Sequence, residues 1–171
     1  MISASNFLQE LKLTPKDIPF NYNEYELGHI AEIFTRTDRV LQEWALTSVE
    51  HVLPIFEEEN PLEFHDNRVR RAVEAGQAYL RAEISMEKLD KAINAISRGG
   101  VGLSKRGDCV EWAVKRACRA AKSVSSRDIV FHVSGAIRWA AEASIDKNYH
   151  NYQQALLEAM LKEEWSKNST R

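Results

Sequence analysis

Apolar residues recur along this chain at three- and four-residue spacing, which is the pattern of amphipathic helices. The breakers are few and clustered. Pro15 and Pro19 bracket an early loop, Pro54 and Pro61 flank the acidic run Glu57, Glu58, Glu59, and Gly99, Gly100, Gly102 and Gly107 sit together. A short helix is expected over about Ser5 to Leu11, stopped at Thr14-Pro15. A second runs from about Glu24 to Phe34. A third starts after Thr37, an N-cap residue, with Asp38 favourable in its first turn. Val40, Leu41, Trp44, Ala45, Ser48 and Val52 lie along one side of it, and Pro54 is expected to end or kink it.

Asp66 or Asn67 should cap the next helix, which reaches about Ala82 with Val69, Ala72, Val73, Gly76 and Leu80 on its apolar face. Small residues at Ala72 and Gly76 would let a neighbour approach closely. Ser85 should cap another helix, with Met86, Leu89, Ile93 and Ile96 at helical spacing. After a glycine-rich break from Ser97 to Gly107, a helix over about Asp108 to Val124 stripes Cys109, Ala113, Ala117, Ala120 and Val124. Ser126 should then cap a helix over about Arg127 to Ile145. Its polar positions Arg127, Ser134, Arg138 and Glu142 form one narrow stripe, and nearly all else is apolar or small. Such a helix is buried on most sides and belongs at the centre of a bundle. A last helix, about Tyr149 to Ser166, stacks Tyr152, Leu156 and Met160, with Glu158 and Lys162 paired on its wet side. No segment alternates with period two. The expected fold is all-α: a single-domain bundle of about seven or eight helices over residues 1–171, with a buried central helix near 127–145.

Composition adds modest constraints. With 44% hydrophobic residues in 171, one domain with a real core fits better than two. The formal net charge of -2 creates no whole-protein field demanding nucleic acid or anionic lipid. Cys109 and Cys118 fall on different faces of one helix, which argues against a disulfide between them and for a reducing compartment. The chain opens without a basic, apolar leader, and no run approaches the ~20 apolar residues needed to span a bilayer. These features predict a cytoplasmic protein with no membrane partner.

Candidate chemistry is thin. Glu26 and His29 have Glu-x-x-His spacing, but a di-iron bundle needs that motif twice, plus two further glutamates. His65-Asp66 matches a doublet of helical metal-dependent phosphohydrolases, with His29, Asp108 and Asp128 as nominees for the remaining ligands, yet Asp66 has a simpler role as an N-cap. His132 reads as a hydrogen-bonded core histidine. The cysteines lack zinc spacing, and no Gly-x-Ser-x-Gly elbow is present. Gly99, Gly100, Gly102, Lys105, Arg106 and Gly107 lack the Gly-Lys-Ser/Thr and preceding strand of a phosphate loop. They read as a flexible loop with a basic tip. No catalytic set, metal site or cofactor site is expected.

Lys115, Arg119 and Lys122 share one helix face, with Lys105, Arg106 and Arg116 nearby. A solvated face with Glu111 paired to Lys115 accounts for them most simply. Nucleic acid is a weaker reading, because no aromatic interleaving or known motif supports it, and an acidic protein partner fits equally well. The acidic run around Glu57 reads as a solvated loop that could also meet a basic partner.

One stretch goes beyond pattern. It reads Trp44-Ala45, then Val52-Leu53-Pro54-Ile55-Phe56-Glu57, then Asp66-Asn67-Arg68-Val69-Arg70-Arg71-Ala72-Val73-Glu74-Ala75, and on to Tyr79 and Glu83-Ile84. It resembles a family of immunity proteins from bacterial polymorphic toxin systems, whose members carry Trp-Ala, Val-Leu-Pro-Leu-Phe-Glu and Asp-x-Arg-Pro-Arg-x-Ala-Ile-Glu-Ala, followed by an Ala-rich helical half. Val69 stands where the family often has Pro, Gln77 and Tyr79 replace its Arg and Trp, and Ser48 stands where Cys is common. The specific resemblance covers about Trp44 to Ile84.

The resemblance implies a non-enzymatic protein that stays in the producing cell and binds and blocks a cognate protein toxin. Within the motif, Asp66 would cap the helix, Arg70 or Arg71 would pair with Glu74, and Arg68 and Arg71 could reach a neighbouring helix or a partner. The candidate binding or motif network is therefore Asp66, Arg68, Arg70, Arg71 and Glu74, with Lys115 and Arg119 added from the basic face. A general helical interaction module and a metal-dependent hydrolase are the alternatives. Ala-rich faces often pair, which leaves a homodimer open.

Overall fold

The computed structural model describes residues 38–59, 67–96, 105–144, 146, 148–149, 151–153, 155–157, 159–160 and 163. Several expectations lie outside these residues: the helices near 5–11 and 24–34, the Thr37 cap, the Glu26/His29 pair, the His65-Asp66 doublet, the glycine-rich stretch 97–104 and the Glu158–Lys162 pair. The described helices are α1 (Asp38–Glu59), α2 (Arg68–Leu80), α3 (Met86–Ile96), α4 (Lys105–Lys122) and α5 (Ser126–Ala143). A sixth, α6, is helical at its described positions between 149 and 163. Every element among the described residues is helical, as the periodicity predicts, and six helices stand where seven or eight were expected for the whole chain.

α1 continues past Pro54 rather than ending there. Proline in a helix interior removes one hydrogen bond and costs about 3 kcal/mol. Pro54 is exposed, and so is Glu50, whose carbonyl loses its donor. On the other side Leu53 and Phe56 are buried in the core, and that burial holds the helix together past the proline. The acidic run is consequently helical at Glu57 to Glu59 and is no loop. The expected stripe is buried throughout, and Leu46, Val49 and Gln42 are buried as well. α1 is thus surrounded on most of its circumference.

α4 packs against α1, α2, α3 and α5. Its small residues Ala113, Ala117, Cys118 and Ala120 have no exposed surface, which permits these close approaches. α5 buries Ile129, Val130, Val133, Ala136, Ile137, Ala140 and Ala143 against α4 and α1, so the helix expected at the centre shares it with α4. Its polar stripe is broken by Phe131, which is 39% exposed, and one member, Ser134, is buried.

Buried polar side chains join the helices. The Gln42 amide donates to the carbonyls of Ala120 at 2.9 Å, Ser123 at 3.2 Å and Ala121 at 3.4 Å. These are carbonyls at the end of α4, which stops at Lys122 and leaves Val124 outside its expected stripe, 94% exposed. The α5 N-cap is Ser125, one residue earlier than expected, without a side-chain capping bond. The Ser126 hydroxyl instead donates to Asp38 of α1 at 2.7 Å. Trp44 donates to the Gln153 carbonyl at 2.9 Å, Gln153 to the Ile137 carbonyl at 3.1 Å, and the Tyr149 hydroxyl to the Ser48 carbonyl. These bonds seat α6 on α1 and α5.

At the other end of α4 the expected loop tip Lys105, Arg106, Gly107 is the first helical turn. Gly107 is buried there, and Arg106 donates to the Ala143 carbonyl at 2.8 Å, closing the end of α5. Both cysteines are free and buried, as expected for small apolar side chains. The Cys118 sulfur donates to the Ala72 carbonyl of α2 at 3.2 Å, and burial pushes its thiol up to about 12.

The close approach expected at Ala72 and Gly76 is present. A Cβ on Gly76 would lie 2.8 Å from Leu46 Cδ2 and 3.4 Å from Cys118 Sγ. α2 then ends in a turn with Ala82 at φ 59°, the Ala82 amide bonding the Tyr79 carbonyl and the Glu83 amide the Ala78 carbonyl. Alanine occupies the left-handed position that glycine takes without steric cost.

Two opposite outcomes follow for stability in urea denaturation. Gly76→Ala gains about 1 kcal/mol of helix propensity but loses about 1–3 kcal/mol to overpacking against the buried Leu46, so a net loss of about 1 kcal/mol is expected. Ala82→Gly relieves the left-handed residue and should raise stability by up to about 1 kcal/mol. An unchanged midpoint for either variant would contradict the corresponding geometry.

Candidate partner-binding surface

The motif residues of α2 separate into two kinds. Arg68 Nη1 donates to the Ala95 carbonyl at 3.3 Å, in the last turn of α3, so this guanidinium fastens α3 to α2. Arg70 reaches across to α1, its Nε 2.6 Å and Nη2 2.9 Å from the two carboxylate oxygens of Glu57. That bidentate bond, more than any other neighbour, holds the Arg70 guanidinium above its ordinary pKa. The expected pairing along α2 with Glu74 does not form. Both nitrogens of the Arg70 fork are taken by Glu57, and Glu74 acts on it only as a nearby charge. Arg71 and Glu74 are exposed, and neither makes an ion pair among the described residues. Asn67 is the N-cap but forms no side-chain capping bond, and Asp66 lies outside the described residues.

On α4 the expected Glu111–Lys115 pair is present at 3.4 Å. Glu111 is only 7% exposed, and its carboxyl sits above the usual range because burial disfavours its charge. Lys115 and Arg68 both oppose that shift, so two cations singled out on different helices converge on one carboxylate. Lys122 is tied to Asp90 of α3 at 2.6 Å. Arg119, half-buried, makes no ion pair among the described residues.

The outer face of α4 and α5 holds an arrangement that the helix pattern did not single out. Arg116 lies across Gly135, where a Cβ would come within 3.2 Å of its Cδ. The missing side chain is what lets the arginine stem lie flat. Its guanidinium carbon stands 4.7 Å from the centre of the Phe131 ring, and Nη1 is 3.3 Å from His132 Nδ1. Arginine can only donate, so His132 Nδ1 is the acceptor and the ring carries its proton on Nε2. Arg116 Nε is buried and has no hydrogen-bond partner. Phe131 meets the His132 ring edge-on at 5.2 Å. One step along the helices, Trp112 and Trp139 stack at 6.4 Å, and Lys115 Nζ lies 5.3 Å from the Trp112 ring centre. Trp112 is 45% exposed.

His132 is the hydrogen-bonded, half-buried histidine expected from its place on the helix. Burial first, then the charges of Arg116 and Arg119, pull its pKa from the ordinary 6.5 to about 4. Two signals in the sequence could have marked this face. Trp112 lies outside the small-residue stripe of α4, four residues before Arg116, and Phe131 interrupts the polar stripe of α5.

Two other features are exposed. His51 stacks on Tyr152 at 4.4 Å and on Tyr149 at 5.5 Å, covering the joint between α1 and α6. A groove of about 420 Å³ between α1 and α2 is lined by Arg39, Glu43, Glu50, Gln77, Arg81 and Met160 among others. Four of its polar groups bond in pairs, Arg39 to Glu43 at 2.6 Å and Gln77 to Glu50 at 2.9 Å, while Arg81 turns to Glu83. Among the described residues no three His, Cys, Asp or Glu side chains gather as a metal site would require. Of the residues nominated for a metal-dependent hydrolase, His29, His65 and Asp66 lie outside the described residues. No described helix is long and apolar enough to cross a membrane.

The depressed His132 pKa carries a sign. Between pH 6.5 and 4 the unfolded chain binds a proton that the folded chain declines, so this residue makes stability fall as the pH drops through that window. His132→Gln should therefore flatten the acid limb of a stability-versus-pH curve measured in urea. Identical slopes for the variant and the natural chain would show that the imidazole titrates normally in the fold.

No curated protein and no solved structure matches this chain. A family model described as "Imm-5 like putative immunity protein" matches residues 32–162, a span that includes α1 to α5 entire. With well over half of its length matched, the chain belongs to the Imm-5 like family of immunity proteins.

Proposed function

We propose that this protein binds a cognate toxin of a bacterial polymorphic toxin system and blocks it by steric occlusion, without chemistry of its own. The family match carries the reading. The physical character of the described helices agrees with it. Their buried polar groups are spent largely on joining helices, as at Gln42, Trp44 and Gln153, which leaves a stable shape rather than a reactive cleft. Aromatic and arginine side chains reach the surface together on α4 and α5, a composition typical of protein interfaces. Two free, buried thiols suit the cytoplasm of the producing cell, where a toxin would otherwise act on its maker.

Co-expression with the toxin domain encoded beside this chain tests the reading. Growth should be restored, and the two proteins should co-purify as one complex. An active toxin that still kills, with no complex formed, would overturn immunity and leave a helical interaction module with another partner.

A further inference from the structure

We propose that the outer face of α4 and α5 is where the toxin docks, with Arg116 and Arg119 meeting carboxylates of the partner while Trp112 and Phe131 seat against its apolar side chains. This rests on the toxin-binding reading and adds the surface and the partner's chemistry. Trp112 and Phe131 are among the large apolar side chains most exposed in the described helices, and they flank Arg116 across the α4–α5 seam. Hot spots of protein interfaces are built from such aromatic and arginine clusters.

Charge selects the partner. Lys115 and Lys122 on the same helix each have a carboxylate, Glu111 and Asp90. Arg116 and Arg119, three residues apart and so on one side of α4, have none among the described residues. The forces on Arg116 are burial and the like charge of Arg119, with no opposing anion among the described residues to offset them. A half-buried guanidinium with no carboxylate among the described residues favours an anion from outside, and a carboxylate is the anion a protein partner offers. The geometry is already set: Gly135 gives the stem its bed, the Phe131 ring supports the guanidinium, and neutral His132 holds one nitrogen without adding charge. Little side-chain freedom remains to be lost when the partner arrives.

A second copy of this chain is a poorer occupant, since a two-fold contact here would bring four arginines together. Nucleic acid is also poorer. Two guanidiniums without a carboxylate among the described residues make a small footprint for a phosphate backbone, and the chain as a whole carries -2.

The test is calorimetric titration of the purified chain with the neighbouring toxin domain. Arg119→Glu and Trp112→Ala should each weaken binding at least tenfold, and Arg116→Gln should do the same. Lys88→Glu, on the exposed side of α3, should leave the affinity within twofold. Raising the salt should weaken the natural chain more than the Arg119→Glu variant. Circular dichroism melting accompanies each variant. Should Arg116→Gln melt early, Arg119→Glu decides, because its side chain holds no ion pair among the described residues. If the natural chain binds and all three variants bind equally well, the docking face is wrong and toxin binding stands. If the natural chain fails to bind an active toxin, both fall. Tight binding of a 20-nucleotide DNA or RNA through Arg116 and Arg119 at physiological salt would overturn the acidic protein partner.

Discussion

Where α4 stops depends on one amide. The last carbonyls of any helix lack donors, and taken out of water each would cost about 1–3 kcal/mol. Gln42, itself only 8% exposed, projects from α1 and donates to Ala121, to Ala120, which also takes the Ser123 amide, and to Ser123 just past the helix end. The end of α4 is therefore set against α1, and the Ser126 bond to Asp38 sets the start of α5 against the same helix. The two helices that bear the aromatic and arginine face are thus fixed at the turn that joins them. Their relative register, on which the Arg116–His132 and Trp112–Trp139 contacts depend, follows from that fastening.

The inner side of the same pair is built for closeness. Alanines and Cys118 along α4 admit four neighbouring helices, and Gly76 lets α2 rest directly on Leu46. A dense interior of small residues transmits little play to the surface. The outer side carries the large side chains that such an interior has no room for. The division of labour within α4 is by helix face: small residues inward, Trp112, Arg116 and Arg119 outward.

Much of this was legible from periodicity. The burial of Val40, Leu41, Trp44 and Val52, the tight face at Ala72 and Gly76, the apolar girth of α5 and the Glu111–Lys115 pair all follow from spacing within one helix. What spacing could not reach was contact between helices. Arg70 chose Glu57 over Glu74 because the carboxylate on α1 met its fork squarely, a fact of crossing geometry. Pro54 failed to end α1 because burial on both sides of it outweighed a local cost. Ser126 was displaced as a cap because its hydroxyl had a partner eighty-eight positions upstream. The face on α4 and α5 was half legible. Lys115 and Arg119 were marked by their stripe, whereas Arg116, Phe131 and His132 acquire meaning only when two helices are laid side by side.

The Cys118 sulfur records something further. It is sealed between α2 and α4, and its proton stays in place while it remains there. The thiolate that reagents attack exists only in the moments when α2 lifts away. Its rate of chemical labelling is therefore a clock for the breathing of this crossing, built into the chain and located at the contact between the family motif on α2 and the helix that presents Arg116.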